Sequence, residues 1–308
     1  MLLLYAGYAI ALLLLVLRVY SKSGGYRWPA LAIMLLIFSS LFFGESAFVL
    51  ASVPIFTLTM LNYGSRKGYL LILLSMVYLP LAAVVSGMLV TYMALLLFAA
   101  LVASTDIFKS SKGALRYERH SELRRNTIQI LLGVAFISLF HFLQPATSKL
   151  ALIYSIFFGL LLGNYAILNK KSAISRALYG LERKRTTLGY GGIWLGLGAL
   201  LAAALLSPKL AIVVFCAIFL ADSFSTIVGV TIKSPKLFYN KGKSIAGSLA
   251  FFVVTAAASY PLIGIYALYI AFVAAIVESL PLWIDDNLSV SITLTALFLI
   301  LAAMGPAL

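Results

Sequence analysis

The chain has 308 residues, of which 63% are hydrophobic and only 10% charged, with a mean hydropathy of +1.08 and a formal net charge of +14. Charged residues make up about a quarter of an ordinary soluble domain, so this composition excludes one and points to an integral membrane protein. Apolar runs of about 17 to 22 residues recur along it, each long enough to cross roughly 30 Å of hydrocarbon as a helix. The alternating ten-residue strands of a β-barrel are missing.

The expected architecture is all-α, a polytopic integral membrane bundle of about 12 transmembrane helices near 2–19, 29–44, 47–63, 69–86, 88–107, 127–144, 148–168, 189–206, 210–230, 245–261, 263–280 and 288–305. Leu2–Leu17 has the length of a signal sequence, but no basic residue precedes it and no A-x-A site follows, so it reads as a retained helix. With these spans, 21 of the 23 basic residues fall in alternate loops, leaving Lys149 and Lys209 for the opposite side. The positive-inside rule then places the basic loops in the cytoplasm and both termini outside. Orientation thus accounts for most of the charge, and no nucleic-acid partner is expected. Cys216 is the single cysteine, which rules out an intrachain disulfide.

Residues 1–107 form an N-terminal five-helix membrane region with almost no ionisable groups inside its spans, expected to be accessory. Pro54 and Pro80 are expected to kink or end helices there. No internal repeat links this region to residues 108–308, which lowers the case for a transporter built from duplicated halves. The basic segment Lys109–Arg125 opens the second region, a seven-helix domain. Arg125, with Arg183 and Lys184 in the next basic loop, is a candidate for holding a phosphate or an anionic lipid headgroup. Glu118, Glu122 and Glu182 are expected to be solvated partners of neighbouring arginines. Arg176 and Glu182–Arg185 are expected on a short interfacial helix, and Gly192 and Gly196 form a G-x-x-x-G pair suited to close helix packing.

The most informative stretch is Ala221–Ser248. Asp222, Ser225, Thr226 and Gly229 follow i, i+3, i+4, i+7 spacing, so they share one face of the ninth span. A carboxylate inside a membrane helix is costly unless it is paired or wetted, which marks Asp222 as functional. The loop that follows carries four lysines and ends Lys241-Gly242-Lys243-Ser244 before a helix whose first turn holds Gly247 and Ser248. Ammonium groups and a helix start together favour an anion. The GKS tripeptide is not a Walker A loop, because Leu237 replaces its first glycine and no strand leads in. Downstream, Glu278 is followed by Asp285 and Asp286 in a turn before the last span, a set of hard oxygen donors that suits Mg²⁺.

The ordered trio ADSFSTIVG, KGKSIAGSLAFF and ESLPLWIDDNLSV resembles the C-terminal motifs of the CTP-dependent polyprenol kinases, the group containing dolichol, phytol and farnesol kinases. The likeness covers roughly residues 120–308. It implies transfer of the γ-phosphate of CTP, with Mg²⁺, to the hydroxyl of a membrane isoprenoid alcohol on the cytoplasmic face. Under that reading Asp222 and Lys243 are catalytic. Lys241, Gly242, Lys243, Ser244, Gly247, Ser248 and Ser225 bind nucleotide, and Asp285, Asp286, Glu278 and Asp222 are available to metal. ELRRNTIQILLG resembles the family's R-K-x-x-H-x-x-x-G entry, but Asn126 replaces the lysine and Gln129 the histidine, so no acid–base role carries over to either. The alternatives are a cytidylyltransferase making a CDP-lipid, whose S-x-x-K-R…K-D…H-G-G…D-R signature is missing, and a transporter or flippase.

Overall fold

A computed structural model describes residues 59, 62–86, 89, 119–181, 188–282 and 284–304. The chain divides into two compact units, Met1–Phe108 and Lys109–Leu308. In the first, helix α1 (Arg66–Ser86) runs on through Pro80 rather than ending there. The other spans predicted before residue 108 lie wholly or largely outside the described residues.

The elements described in the second unit are helices: α2 (Arg119–Phe142), α3 (Pro145–Leu168), the short α4 (Ala173–Tyr179), α5 (Tyr190–Leu205), α6 (Pro208–Thr231), α7 (Ile245–Ile263), α8 (Tyr266–Ser279) and α9 (Asp286–Met304). Helices stand at all seven positions predicted for spans in this unit. Five of them (α2, from Glu122, with α3, α6, α7 and α9, to Ala303) are long and apolar enough to cross a membrane. At 14 residues, α8 is only about 21 Å long, shorter than the hydrocarbon it was predicted to span. Arg176 does lie on a short helix, α4, whereas Glu182, Arg183, Lys184 and Arg185 fall outside the described residues.

Helix boundaries follow local chemistry. Ser172, Ser207 and Ser244 each accept a hydrogen bond from the backbone N–H three residues on, capping α4, α6 and α7. Pro145 and Pro208 occupy first-turn positions where no amide donor is needed. Gly264, at φ 57°, makes the reversal between α7 and α8.

Helix α6 is the centre of the unit. In its most apolar window 72% of residues are buried within the protein, against 28–39% for the other four long helices. It packs against α2, α5, α7 and α9, while large apolar side chains such as Leu131, Phe158, Val253 and Ile300 face outward where lipid would lie. Against α2, Phe136, Phe140, Phe215 and Phe219 form a run of tilted and edge-on ring contacts with centroids 4.9–6.0 Å apart. Gly133 lets the two backbones close, because a Cβ there would run into the Phe219 side chain. The predicted Gly192/Gly196 pair divides: a Cβ on Gly192 would meet nothing within 4 Å, whereas one on Gly196 would stand 3.4 Å from Ile156 of α3, an ordinary contact. The glycine of α5 that matters is Gly198, whose Cβ would lie 3.1 Å from Ser291 Cβ and 3.2 Å from the Asn287 carbonyl, and whose own carbonyl accepts from Ser291 Oγ at 2.6 Å. That contact pins the start of α9.

Gly133→Ala is therefore expected to lower stability by about 1–3 kcal/mol through overpacking. Gly159→Ala, where an added Cβ would meet nothing, should be neutral or stabilising by up to about 1 kcal/mol. Thermal unfolding in detergent micelles distinguishes the two.

Candidate active site

Asp222 owes its position to a break in helix regularity. Residues Cys216–Ala221 of α6 form one π-helical turn, in which the Asp222 N–H bonds the Ala217 carbonyl, five residues back. The bulge bypasses the Ile218 carbonyl, and such single-turn bulges concentrate at functional sites. Gln129 of α2 occupies that opening: its Nε2 donates to Ile218 O at 2.9 Å and to Asp222 Oδ2 at 3.1 Å. Asp222 is 9% exposed and Gln129 8%.

Beyond Asp222, the polar face of α6 meets the start of α7. Gly229 and Gly247 make this approach possible: a Cβ on either would come within 3.1 Å of Ser244 Oγ, and one on Gly247 within 3.0 Å of the Ser225 carbonyl. Ser225 Oγ reaches across to Glu278 Oε1 at 3.2 Å.

The intervening loop is held by its own backbone and by the end of α8. Lys236 and Ser244 form an isolated antiparallel bridge, and Leu237 N donates to Lys243 O at 3.1 Å. Tyr239 Oη pairs with Ser279 Oγ at 2.7 Å, and Asn240 Nδ2 donates to Ser279 O at 2.9 Å. Lys243 is thereby delivered to Glu278, one residue before Ser279. Its Nζ lies 2.6 Å from Glu278 Oε1 and 2.6 Å from Asp286 Oδ2. Burial works against the charge on Lys243, but the carboxylates of Glu278, Asp286 and Asp222, with the hydrogen bond to Asp286, outweigh it. They hold the ammonium above the ordinary lysine range. At neutral pH Lys243 is therefore a fixed positive charge and not a base.

The structure thus brings together Asp222, Ser225, Lys243, Glu278 and Asp286 from α6, the lysine loop, α8 and α9. It separates other predicted members. Asp286 is the first residue of α9 and faces Lys243, whereas Asp285 Oδ1 accepts the Asn287 N–H at 3.0 Å and serves the helix start. The first-turn amides of α7 are already bonded: Ile245 to Pro235 O, Ala246 to Ser234 Oγ, Gly247 to Ser244 Oγ and Ser248 to Ser244 O. Gly242 N is taken by Asn240 Oδ1. Lys241 is exposed, and Ser248 Oγ is buried without a hydrogen-bond partner. Glu122 is not solvated: it is 2% exposed and pairs with Arg125 at 3.0 Å.

Three carboxylates around one ammonium leave a formal excess of two negative charges. Glu278 is 1% exposed, and its Oε2 has no hydrogen-bond partner, leaving a buried hard oxygen donor suited to a divalent cation. Among the described residues no group of three or more His, Cys, Asp or Glu side chains is placed to hold a metal by itself. A cation here would take part of its coordination from elsewhere, as Mg²⁺ does from phosphates.

Fold and site together define an all-helical membrane protein with a lysine-bridged carboxylate cluster where three helices and a basic loop meet. The chain belongs to the same family as the uncharacterized protein MJ1137 of Methanocaldococcus jannaschii, with 30% identity over 171 residues that cover 54% of this chain and 87% of that protein. It is also 36% identical over 104 residues to the chloroplastic farnesol kinase of Arabidopsis thaliana, covering 28% of this chain and 34% of the kinase. The chain thus matches only about a third of that kinase's length. No protein-family model matches the chain, and neither does any solved structure.

Removing Lys243 leaves Glu278 buried and uncompensated, so Lys243→Ala should cost about 3–5 kcal/mol. Adding Glu278→Gln to it should recover most of that loss, while Asp286→Asn, at a half-exposed partner, should cost no more than about 1 kcal/mol. Unfolding midpoints of the three variants provide the check.

Proposed function

We propose that the protein is a membrane lipid kinase that transfers the γ-phosphate of CTP to the hydroxyl of an isoprenoid alcohol of the polyprenol or dolichol type, releasing CDP. The observation that carries this reading is the double contact of Lys243 with Glu278 and Asp286 beside Asp222. It joins the three motif segments on which the resemblance to polyprenol kinases rests. The likeness to farnesol kinase supports the same class of substrate.

Phosphoryl transfer needs positioning and charge neutralisation more than covalent chemistry. An ammonium has three N–H donors, and two of those on Lys243 are engaged by carboxylates, which leaves one for a phosphate oxygen. The exposed Lys241 adds a second positive charge from the same loop. Since the α7 amides are occupied, the lysines rather than the helix start carry the triphosphate in this proposal. Glu278 and Asp286 would hold Mg²⁺, which when bound neutralises charge on the transferring phosphoryl group. Asp222 orients the alcohol and accepts its proton as the oxygen bonds to the γ-phosphorus and the bond to the CDP oxygen breaks. Because the positive-inside rule predicts cytoplasmic basic loops, this chemistry would take place at the cytoplasmic face.

The test is incubation of purified protein with labelled CTP, ATP or GTP and prenols from farnesol upward, with products separated. Prenyl phosphate plus CDP is the expected result; pyrophosphate release would mean nucleotidyl transfer instead. Asp222→Asn should lower turnover by about 10²–10⁴-fold as expected for loss of a general base. An Asp222→Asn protein that folds and turns over normally refutes the assignment.

A further inference from the structure

One buried polar contact in the site has no part in the transfer step as assigned. Gln129 carries no charge and departs from the histidine of the motif that its segment resembles, yet its carboxamide nitrogen makes two hydrogen bonds to residues 89 and 93 positions away. The two acceptors, Ile218 O and Asp222 Oδ2, lie one turn apart on α6. The carbonyl is open to Gln129 because the π turn carries the Asp222 N–H past it to Ala217. A primary amide has two N–H donors on one nitrogen, and these can hold both acceptors at once. Gly133, one turn further along α2, brings the helix close enough for that grip by abutting Phe219.

Its chemistry matches that placement. A carboxamide donates at every pH and takes up no proton, so it can fix a carboxylate without competing for the proton that the carboxylate must accept. A histidine in the same place would change protonation near pH ~6.5 and exchange donor for acceptor as it did so.

We propose that Gln129 is a positioning residue. It clamps the π turn and one oxygen of Asp222, leaving the other oxygen to the hydroxyl of the acceptor alcohol. This rests on the kinase reading of Asp222 given above. The exposed neighbour Thr127, whose hydroxyl bonds only the Leu123 carbonyl of its own helix, serves as the control.

Steady-state kinetics of the full chain with CTP and farnesol test the assignment. Gln129→Leu should lower kcat by about 30-fold or more, with the KM for CTP changed by less than about threefold, because transition-state alignment is lost and nucleotide contacts are kept. Thr127→Ala should leave both constants unchanged. Gln129→His, which retains a buried donor if the leucine variant fails to fold, should recover part of the rate. Its kcat–pH profile should also differ in shape from the parent's, because an imidazole titrates near neutral pH and a carboxamide does not. An unchanged kcat in Gln129→Leu, or a Gln129→His profile superimposable on the parent's, overturns the positioning role while leaving the kinase reading intact. A parent protein that phosphorylates no prenol overturns that reading first, and the inference with it.

Discussion

The contact on which the site depends is the ammonium of Lys243 between the carboxylates of Glu278 and Asp286, at 2.6 Å to each. Glu278 is almost completely enclosed, and an enclosed carboxylate without a countercharge would cost several kcal/mol. Lys243 can supply that countercharge only because its loop is fixed to Ser279 by Tyr239 and Asn240, which removes most of the freedom of a long, flexible side chain. The same loop caps α7 through Ser244 and Ser234. Helix start, loop and acid cluster are thus one cooperative unit, and disturbing any one of them disturbs the others.

Sequence patterning reads elements better than it reads partners. The second unit's helices stand where apolar run length and turn residues place them, because burial in a membrane leaves the chain few other ways to satisfy its backbone. The face shared by Asp222, Ser225 and Gly229 is likewise legible, since it follows from helical spacing alone. Which of two neighbouring acids faces the lysine is not legible: Asp285 and Asp286 differ only in where α9 begins, and a one-residue shift exchanges a helix-start acceptor for an ion-pair partner. The same holds for the glycines of α5. Gly192, Gly196 and Gly198 look alike in sequence, and only the rotation of α5 against α9 decides that Gly198 is the contact point.

Gln129 is the clearest case of a residue that local reasoning undervalues. Comparison with the motif it departs from marks it as a lost acid–base group. Its value lies in a contact 93 residues away, made possible by a π turn that no composition signal announces. Buried amides are expensive unless bonded, so a glutamine at this depth in an apolar helix is itself a sign that acceptors face it. The inverse signal helps too: Glu122, an acid among arginines, looks like a solvated loop residue until α2 is seen to begin three residues before it and to bury it against Arg125.

The charge balance of the cluster constrains what it can accept. Three carboxylates and one ammonium repel a bare triphosphate, and Asp286, the most exposed of the three acids, stands directly beside Lys243. A nucleotide would therefore enter the proposed site most favourably with a divalent cation already on its phosphates, which Glu278 and Asp286 would help to hold, while Lys243 and Lys241 would meet the remaining phosphate charge. Under the proposal the opposed charges would do separate tasks: the acids would select the cation-bound form of the nucleotide, and the lysines would align it. This arrangement explains why a site meant for a polyanion would be built with more acid than base. In the proposed reaction the acid assigned to the alcohol, Asp222, comes from the most enclosed of the long helices of the unit, a setting that would favour a neutral lipid hydroxyl over a hydrated phosphate.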